Sequence, residues 1–179
     1  MPPLTDGERQ AIRANLFPES RAAIGDWDAY PWHRLEKRIT TGWVQSSQAL
    51  SIDVFGYLKT RTQDERDVAL GLVARELGLP GQGPWQVELE YSVPRSLLGE
   101  WRPTQIDALA SSPHALIAFE CKFTEAGGAC SRTGANGQCG GAYALEPGNP
   151  HKGDHRCALT AKGIRYWEHV PALFERLAP

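Results

Sequence analysis

The chain has 179 residues, of which 41% are hydrophobic and 22% charged, and its formal net charge at pH 7 is -2. This balance excludes a disordered or fibrous protein, and the length suits one globular core, so we expect a single domain over residues 1–179. The charge also lacks the strongly basic character of proteins that hold nucleic acid mainly through phosphate attraction, although carboxylates gathered around a metal would lower it in the same way.

No export signal is visible at the start of the sequence, and nowhere do 18 apolar residues follow one another. A helix that crosses a membrane needs about that many. We therefore expect a cytoplasmic protein without a membrane partner.

The first 80 residues carry mainly helical patterns. Residues 1–32 mix proline, glycine and charge with short apolar patches, which indicates an adaptable N-terminal arm with one helix. In residues 32–58 apolar side chains recur at roughly helical separations, with two glycines between them, and predict a broken helix. Thr62 and Glu65 form a capping-box pattern, so another helix should begin there and end near Gly78. The face of this helix that we expect to be buried carries Val68, Ala69, Leu72, Val73 and Leu77.

A change of period from about 3.6 to 2 residues marks the β part of the chain. In residues 85–93 apolar and polar side chains alternate strictly, which predicts a strand with Glu88 and Glu90 on its polar face. Residues 104–110 and 115–123 are two further strand candidates, joined by a turn-like segment. The sequence thus predicts an α/β fold in which a three-stranded antiparallel meander follows the helices.

The third predicted strand carries two opposite charges, Glu120 and Lys122, within a strongly apolar stretch. Ionised groups in apolar surroundings are costly unless they are paired or bound to metal. Across a tight hairpin Asp107 should lie beside Glu120, because facing residues of paired strands have Cβ atoms about 5 Å apart. Asp107 and Glu120 would then hold Mg²⁺ or Mn²⁺, and Lys122 would orient the attacking water or stabilise charge on the phosphate. This grouping suits hydrolysis of phosphodiester bonds.

Alternatives remain for each of these acidic residues. Glu88 and Glu90 would extend the cluster and help to seat a second ion, or they would simply form the water-facing side of a strand. For Asp107, Glu120 and Lys122 the alternative is a salt-bridge cluster on a sheet surface.

The order of these elements and residues resembles the PD-(D/E)XK nuclease superfamily, which has the restriction-endonuclease-like fold. Its motif, an Asp on the second strand and Glu-x-Lys on the third, matches Asp107 and Glu120 to Lys122, with Ile106 where the motif has proline. The segments SSQALSIDVFGYL, EYS and ECKFTE look like a bacterial branch of restriction-endonuclease-like proteins. The resemblance covers about residues 40–170.

This resemblance implies a central mixed β-sheet whose antiparallel meander is flanked by helices. It implies DNA as the substrate, and it implies that the carbonyl oxygen of Cys121 also binds the metal. A residue of the first helix, either Gln48 or Glu36, would complete the catalytic group.

Residues 125–157 are rich in glycine and asparagine and would make a long loop. Thiolate and imidazole ligands could tie such a loop to a structural Zn²⁺. A second interpretation is an iron–sulfur cluster, which some nucleases of this superfamily carry, but the lack of any cysteine before Cys121 argues against it. The third interpretation is that the cysteines are free thiols. The candidate ligands of a structural metal are Cys130, Cys139, Cys157 and His155.

Two functions of different classes stay open. The first is a divalent-metal-dependent nuclease that hydrolyses DNA, either as a monomer or as a homodimer. The second is a non-catalytic, zinc-stabilised module that binds nucleic acid or protein.

Overall fold

The computed structural model describes residues 3–99 and 103–123. Met1–Tyr91 and Gln105–Glu125 form one compact unit, and Ser92–Thr104 belongs to a second unit whose other residues lie outside the described ranges. The single domain over residues 1–179 therefore stays a prediction. Within the described ranges, no helix is both long enough and apolar enough to span a bilayer.

The fold is mixed α/β, with two small sheets flanked by helices, as the sequence predicts. In chain order the elements are α1 (Asp6–Asn15), a 3₁₀ turn (Ser20–Ala23), β1 (Arg34–Leu35), β2 (Arg38–Ile39), α2 (Ser47–Ser51), a π-helical turn (Ile52–Gly56), α3 (Tyr57–Thr60), α4 (Gln63–Glu76), β3 (Gln86–Ser92), α5 (Arg95–Leu98), β4 (Gln105–Ser111) and β5 (Leu116–Phe119).

A short hairpin replaces the first half of the helix that we predicted for residues 32–58. β1 and β2 pair antiparallel, and the two residues between them, Glu36 and Lys37, have φ angles of 47° and 70°. Two successive residues with positive φ are the geometry of a tight hairpin turn. The helical half of the prediction is confirmed only after Ser46, whose hydroxyl accepts the N–H of Ala49 and caps α2.

We expected the N-terminal segment to form an adaptable arm, but several of its apolar side chains are buried, although Phe17 is 65% exposed. They pack with residues of the hairpin and of α2 in one cluster. That cluster consists of Leu4, Ile12, Leu16, Ile24, Trp32, Ile39, Ala49 and Ile52. Full burial of one large apolar side chain contributes roughly 1.5–3 kcal/mol, so residues 1–32 help to stabilise the fold.

The three-stranded sheet has the predicted meander order β3-β4-β5. β4 and β5 are antiparallel, with Ala108 opposite Phe119 and Ala110 opposite Ile117. One face of the sheet packs in a second cluster formed by Phe55, Leu70, Ala74, Trp85, Val87, Ala108, Ala110 and Ile117. Leu89 of β3 contacts both clusters. β5 ends at Phe119, so Glu120 and Lys122 follow the third strand and do not lie on it as predicted.

Helix α4 begins as predicted, with a capping box in which the Thr62 hydroxyl accepts the N–H of Glu65 and the Glu65 carboxylate accepts the N–H of Thr62. Its predicted buried face is wrong. The buried residues are Leu70, Gly71 and Ala74, whereas most of the larger apolar residues of the expected face are exposed. The reason is a close approach of backbone, since a Cβ at Gly71 would lie 2.6 Å from the carbonyl oxygen of Gly81. The packed side of α4 therefore consists of Leu70 and the two small residues Gly71 and Ala74.

Candidate active site

Glu90 of β3 is buried, although the alternating pattern predicts that it faces water together with Glu88. The alternation holds up to Glu88, which is exposed, and then breaks: Glu90 has a φ of 50° and a side chain that is 2% exposed. A positive φ is uncommon for a residue with a Cβ and is held only where the surroundings fix it. The predicted common face of Glu88 and Glu90 is therefore wrong, and only Glu90 points inward.

Gln48 of α2 holds Glu90 in place. Its Nε2 donates to Oε1 of Glu90 at 2.7 Å and to the carbonyl oxygen of Pro31 at 3.1 Å. Its Oε1 accepts the backbone N–H of His33 at 2.9 Å and the hydroxyl of Thr41. Gln48 is 1% exposed, so all of these bonds are shielded from water. One amide thus positions a carboxylate of the sheet and the backbone of His33.

His33, Glu90 and Asp107 form a group in which one ligand atom from each residue lies within 4.8 Å of the other two. Nε2 of His33 is 3.4 Å from Oε2 of Glu90. Among the residues that the structure describes, this Oε2 is buried and has no hydrogen-bond partner. The contact with His33 compensates this buried charge only when the imidazole is protonated, whereas a bound cation would do so directly. The donor set of one imidazole and two carboxylates suits a divalent metal ion.

Asp107 of β4 is half-buried and is anchored to the segment after β5. Its Oδ2 accepts the backbone N–H of Cys121 at 2.6 Å. Burial raises the pKa of Asp107, and the negative charges of Glu120 and Glu90 raise it further, while the Cys121 N–H and the Lys122 ammonium oppose this rise. A bound cation would favour the ionised carboxylate.

Glu120 and Lys122 lie on the solvent side of this group. If the β4–β5 register is continued by one residue beyond the Ala108–Phe119 pair, Asp107 comes to lie opposite Glu120. Nζ of Lys122 is 2.5 Å from Oε1 of Glu120, and the two side chains are 38% and 61% exposed. We expected these charges in apolar surroundings, but they form an exposed ion pair in the segment that follows β5.

The structure thus brings together Gln48, Glu90 and Asp107. Glu120 and Lys122 lie near enough for their charges to act on Asp107. Other predicted site residues are placed elsewhere or are not tested. Glu88 is exposed, and Glu36 is exposed at the tip of the β1–β2 hairpin. The role of the Cys121 carbonyl as a metal ligand stays a prediction. The structural-metal candidates Cys130, Cys139, Cys157 and His155, together with the 125–157 loop, lie outside the described residues.

Two aromatic residues near the site carried no recognisable signal in the sequence. Contact with the Glu90 carboxylate raises the pKa of His33 above its usual value, although partial burial opposes this effect. The hydroxyl of Tyr30 is buried and has no hydrogen-bond partner within residues 3–99 and 103–123. Burial and the charges of Glu90 and Asp107 raise the pKa of Tyr30, so its hydroxyl is neutral at physiological pH. Both residues precede a hairpin that the sequence did not predict, and aromatic runs of this kind usually indicate core.

Comparison with known families adds the decisive observation. Residues 11–172 match the family described as restriction endonuclease associating with ARP. The chain belongs to this family. Comparisons with curated proteins and with solved structures give no significant match. The restriction-endonuclease-like resemblance is thereby confirmed, and the mixed α/β fold of this family member is compatible with such a core.

Proposed function

We propose that this restriction-endonuclease-like protein is a divalent-metal-dependent nuclease of the PD-(D/E)XK type that cleaves phosphodiester bonds in DNA. The observation that carries the proposal is the buried carboxylate of Glu90, which offers an oxygen within 4.8 Å of a carboxylate oxygen of Asp107. The family description supports a nuclease, and the arrangement of acidic residues supports the need for a metal.

The metal ligands in this proposal are Glu90 and Asp107 on the buried side, with Glu120 on the side that solvent reaches. A bound Mg²⁺ or Mn²⁺ would polarise the phosphate and lower the pKa of a water molecule. Gln48 keeps the Glu90 carboxylate oriented, and the Cys121 N–H does the same for Asp107. These bonds fix the negative charges before any substrate arrives, which limits reorganisation during the reaction.

Lys122 is the residue that we propose to contact the phosphate or the attacking water. It lies beside Glu120 and is partly exposed, so a DNA backbone can approach it from solvent. The Glu90 side chain, which is 2% exposed, cannot be reached in this way. The substrate therefore enters from the Glu120 and Lys122 side, and the ammonium of Lys122 stabilises negative charge that develops on the phosphate.

The family description also names an association with ARP. We propose that this chain shares that association. A homodimer remains an open alternative to a monomer.

Incubation of supercoiled plasmid with the protein tests the proposed activity. We expect nicking in the presence of Mg²⁺ or Mn²⁺ and none in excess chelator. Asp107→Asn and Lys122→Ala should each abolish nicking while circular dichroism shows an unchanged fold, because each removes one charge at the reacting centre. Normal turnover in either variant would contradict the assignment. A shift of DNA in a gel without any cleavage, together with bound zinc, would favour the non-catalytic binding module.

A further inference from the structure

We propose that His33, Glu90 and Asp107 form a metal centre with a nitrogen ligand, which selects a first-row transition ion such as Mn²⁺ over Mg²⁺ or Ca²⁺. This inference rests on the proposed function for the role of the ion in cleavage. It names the metal class of that site and adds an imidazole ligand from outside the sheet.

The distances suit a shared ion. Two ligand atoms that each lie about 2.1 Å from a common ion at right angles are about 3 Å apart. Nε2 of His33 and Oε2 of Glu90 are 3.4 Å apart, and one ligand atom from each of His33, Glu90 and Asp107 lies within 4.8 Å of the other two. Two ligands on opposite sides of one ion are about 4.2 Å apart, so side-chain shifts of less than about 1 Å would bring all three around it.

The ligands are also held in advance. Gln48 binds the side chain of Glu90 and the backbone of His33 with opposite ends of the same amide. Asp107 is fixed separately by the N–H of Cys121. Such supporting bonds orient metal ligands and strengthen binding, since little conformational freedom is lost when the ion arrives.

A buried, unpaired atom indicates that something is bound there. The Glu90 side chain is only 2% exposed, and within the described residues its Oε2 has no hydrogen-bond partner. The hydroxyl of Tyr30 is a second buried polar atom without a partner in the same part of the chain.

The alternative is a structural ion pair between His33 and Glu90 with no metal. That pair would give no role to Asp107, which offers a carboxylate oxygen within 4.8 Å of a ligand atom of each of the other two residues. It would also leave Oε2 of Glu90 with the 3.4 Å contact to His33 as its one partner among the described residues. A cation among the three residues would engage all of these groups at once.

The imidazole decides the class of ion. Mg²⁺ and Ca²⁺ prefer hard oxygen ligands, whereas imidazole nitrogen suits the transition ions. A centre with one nitrogen and two carboxylates should therefore bind Mn²⁺ in preference to Mg²⁺. Without His33, only oxygen ligands would remain and this preference should fall.

The test uses Mn²⁺ as the probe, with electron paramagnetic resonance to measure its binding and electron spin echo envelope modulation to detect a coordinated nitrogen. We expect a nitrogen signal in the full chain, its loss in His33→Gln, and Mn²⁺ binding that is weaker by at least about tenfold in that variant. His114→Gln is the matched control, because His114 is exposed on the turn before β5 and lies outside the centre. Glu90→Gln should weaken Mn²⁺ binding too, which keeps the test valid if His33→Gln does not fold.

A Mn²⁺-bound protein without a nitrogen signal, or a signal that survives in His33→Gln, would overturn the centre. Plasmid cleavage measured on the same samples separates this result from failure of the proposed function. Cleavage with no nitrogen signal would refute the centre and leave the nuclease. A signal that depends on His33 in a protein that never cleaves would keep the centre and refute the nuclease.

Discussion

The two sides of the site hold similar charges in opposite surroundings. On the inner side, the Glu90 side chain is 2% exposed, and its carboxylate accepts a hydrogen bond from the buried amide of Gln48. On the outer side, the Glu120 carboxylate is 61% exposed and is bonded to Lys122. Exposed ion pairs contribute about 0–1 kcal/mol, whereas a buried carboxylate costs folding free energy unless it is compensated. On our proposal, the inner charge is kept for metal binding, whereas the exposed outer pair can exchange partners easily.

The largest expected effect separates the two glutamates of β3. Glu90→Gln should reduce plasmid cleavage by about a hundredfold or more, because it removes a negative ligand while keeping the shape of the side chain. Glu88→Gln, two residues earlier on the same strand, should leave cleavage within about twofold of the unmodified protein, since its exposed side chain lies outside the group. Initial rates of nicking measure both variants. Equal losses in the two would contradict the inward position of Glu90.

A stability measurement sharpens the view of the inner side. Gln48→Leu should lower the free energy of unfolding by about 2–3 kcal/mol, because it leaves buried groups of Glu90, His33 and Thr41 without partners. Urea denaturation measures the change. Gln86→Leu is the control, as this glutamine is exposed on β3. If both variants lose the same small amount, Gln48 does not have the supporting role that we assign to it.

The smallest expected effect concerns protonation of the metal-free protein. The pKa of His33 should lie above 6.5, the ordinary value for a histidine side chain, mainly because of its contact with Glu90. A raised pKa in the folded state stabilises the fold fully below the pKa of the unfolded chain, and this contribution is lost as the pH rises through the folded pKa. Nuclear magnetic resonance titration should show the raised pKa and its fall in Glu90→Gln. A His33 pKa at or below 6.5 in the unmodified protein would show that the two side chains are not in contact.

Sequence patterns predicted the elements whose causes are local. The capping box of Thr62 and Glu65 starts α4, and the alternation from residue 85 marks β3, because both signals depend only on neighbouring residues. Asp107 and Glu120 were chosen as site residues from the motif they match, and their role in the site stays a prediction.

Other features depend on contacts between distant parts of the chain and left no local signal. The turn at Glu36 and Lys37 uses left-handed backbone without glycine or asparagine, so the hairpin looked helical. The buried face of α4 is set by the close approach of Gly81 to Gly71. The inward turn of Glu90 depends on Gln48, 42 residues away in sequence, and no period reveals such a pair.

The most direct test of the account is a crystal structure of the full chain soaked with Mn²⁺, with data collected for anomalous scattering of manganese. We predict a manganese peak among the imidazole of His33 and the carboxylates of Glu90 and Asp107, because one ligand atom of each already lies within 4.8 Å of the other two. A protein that cleaves plasmid with Mn²⁺ but shows its manganese away from Glu90 and Asp107 would contradict the account.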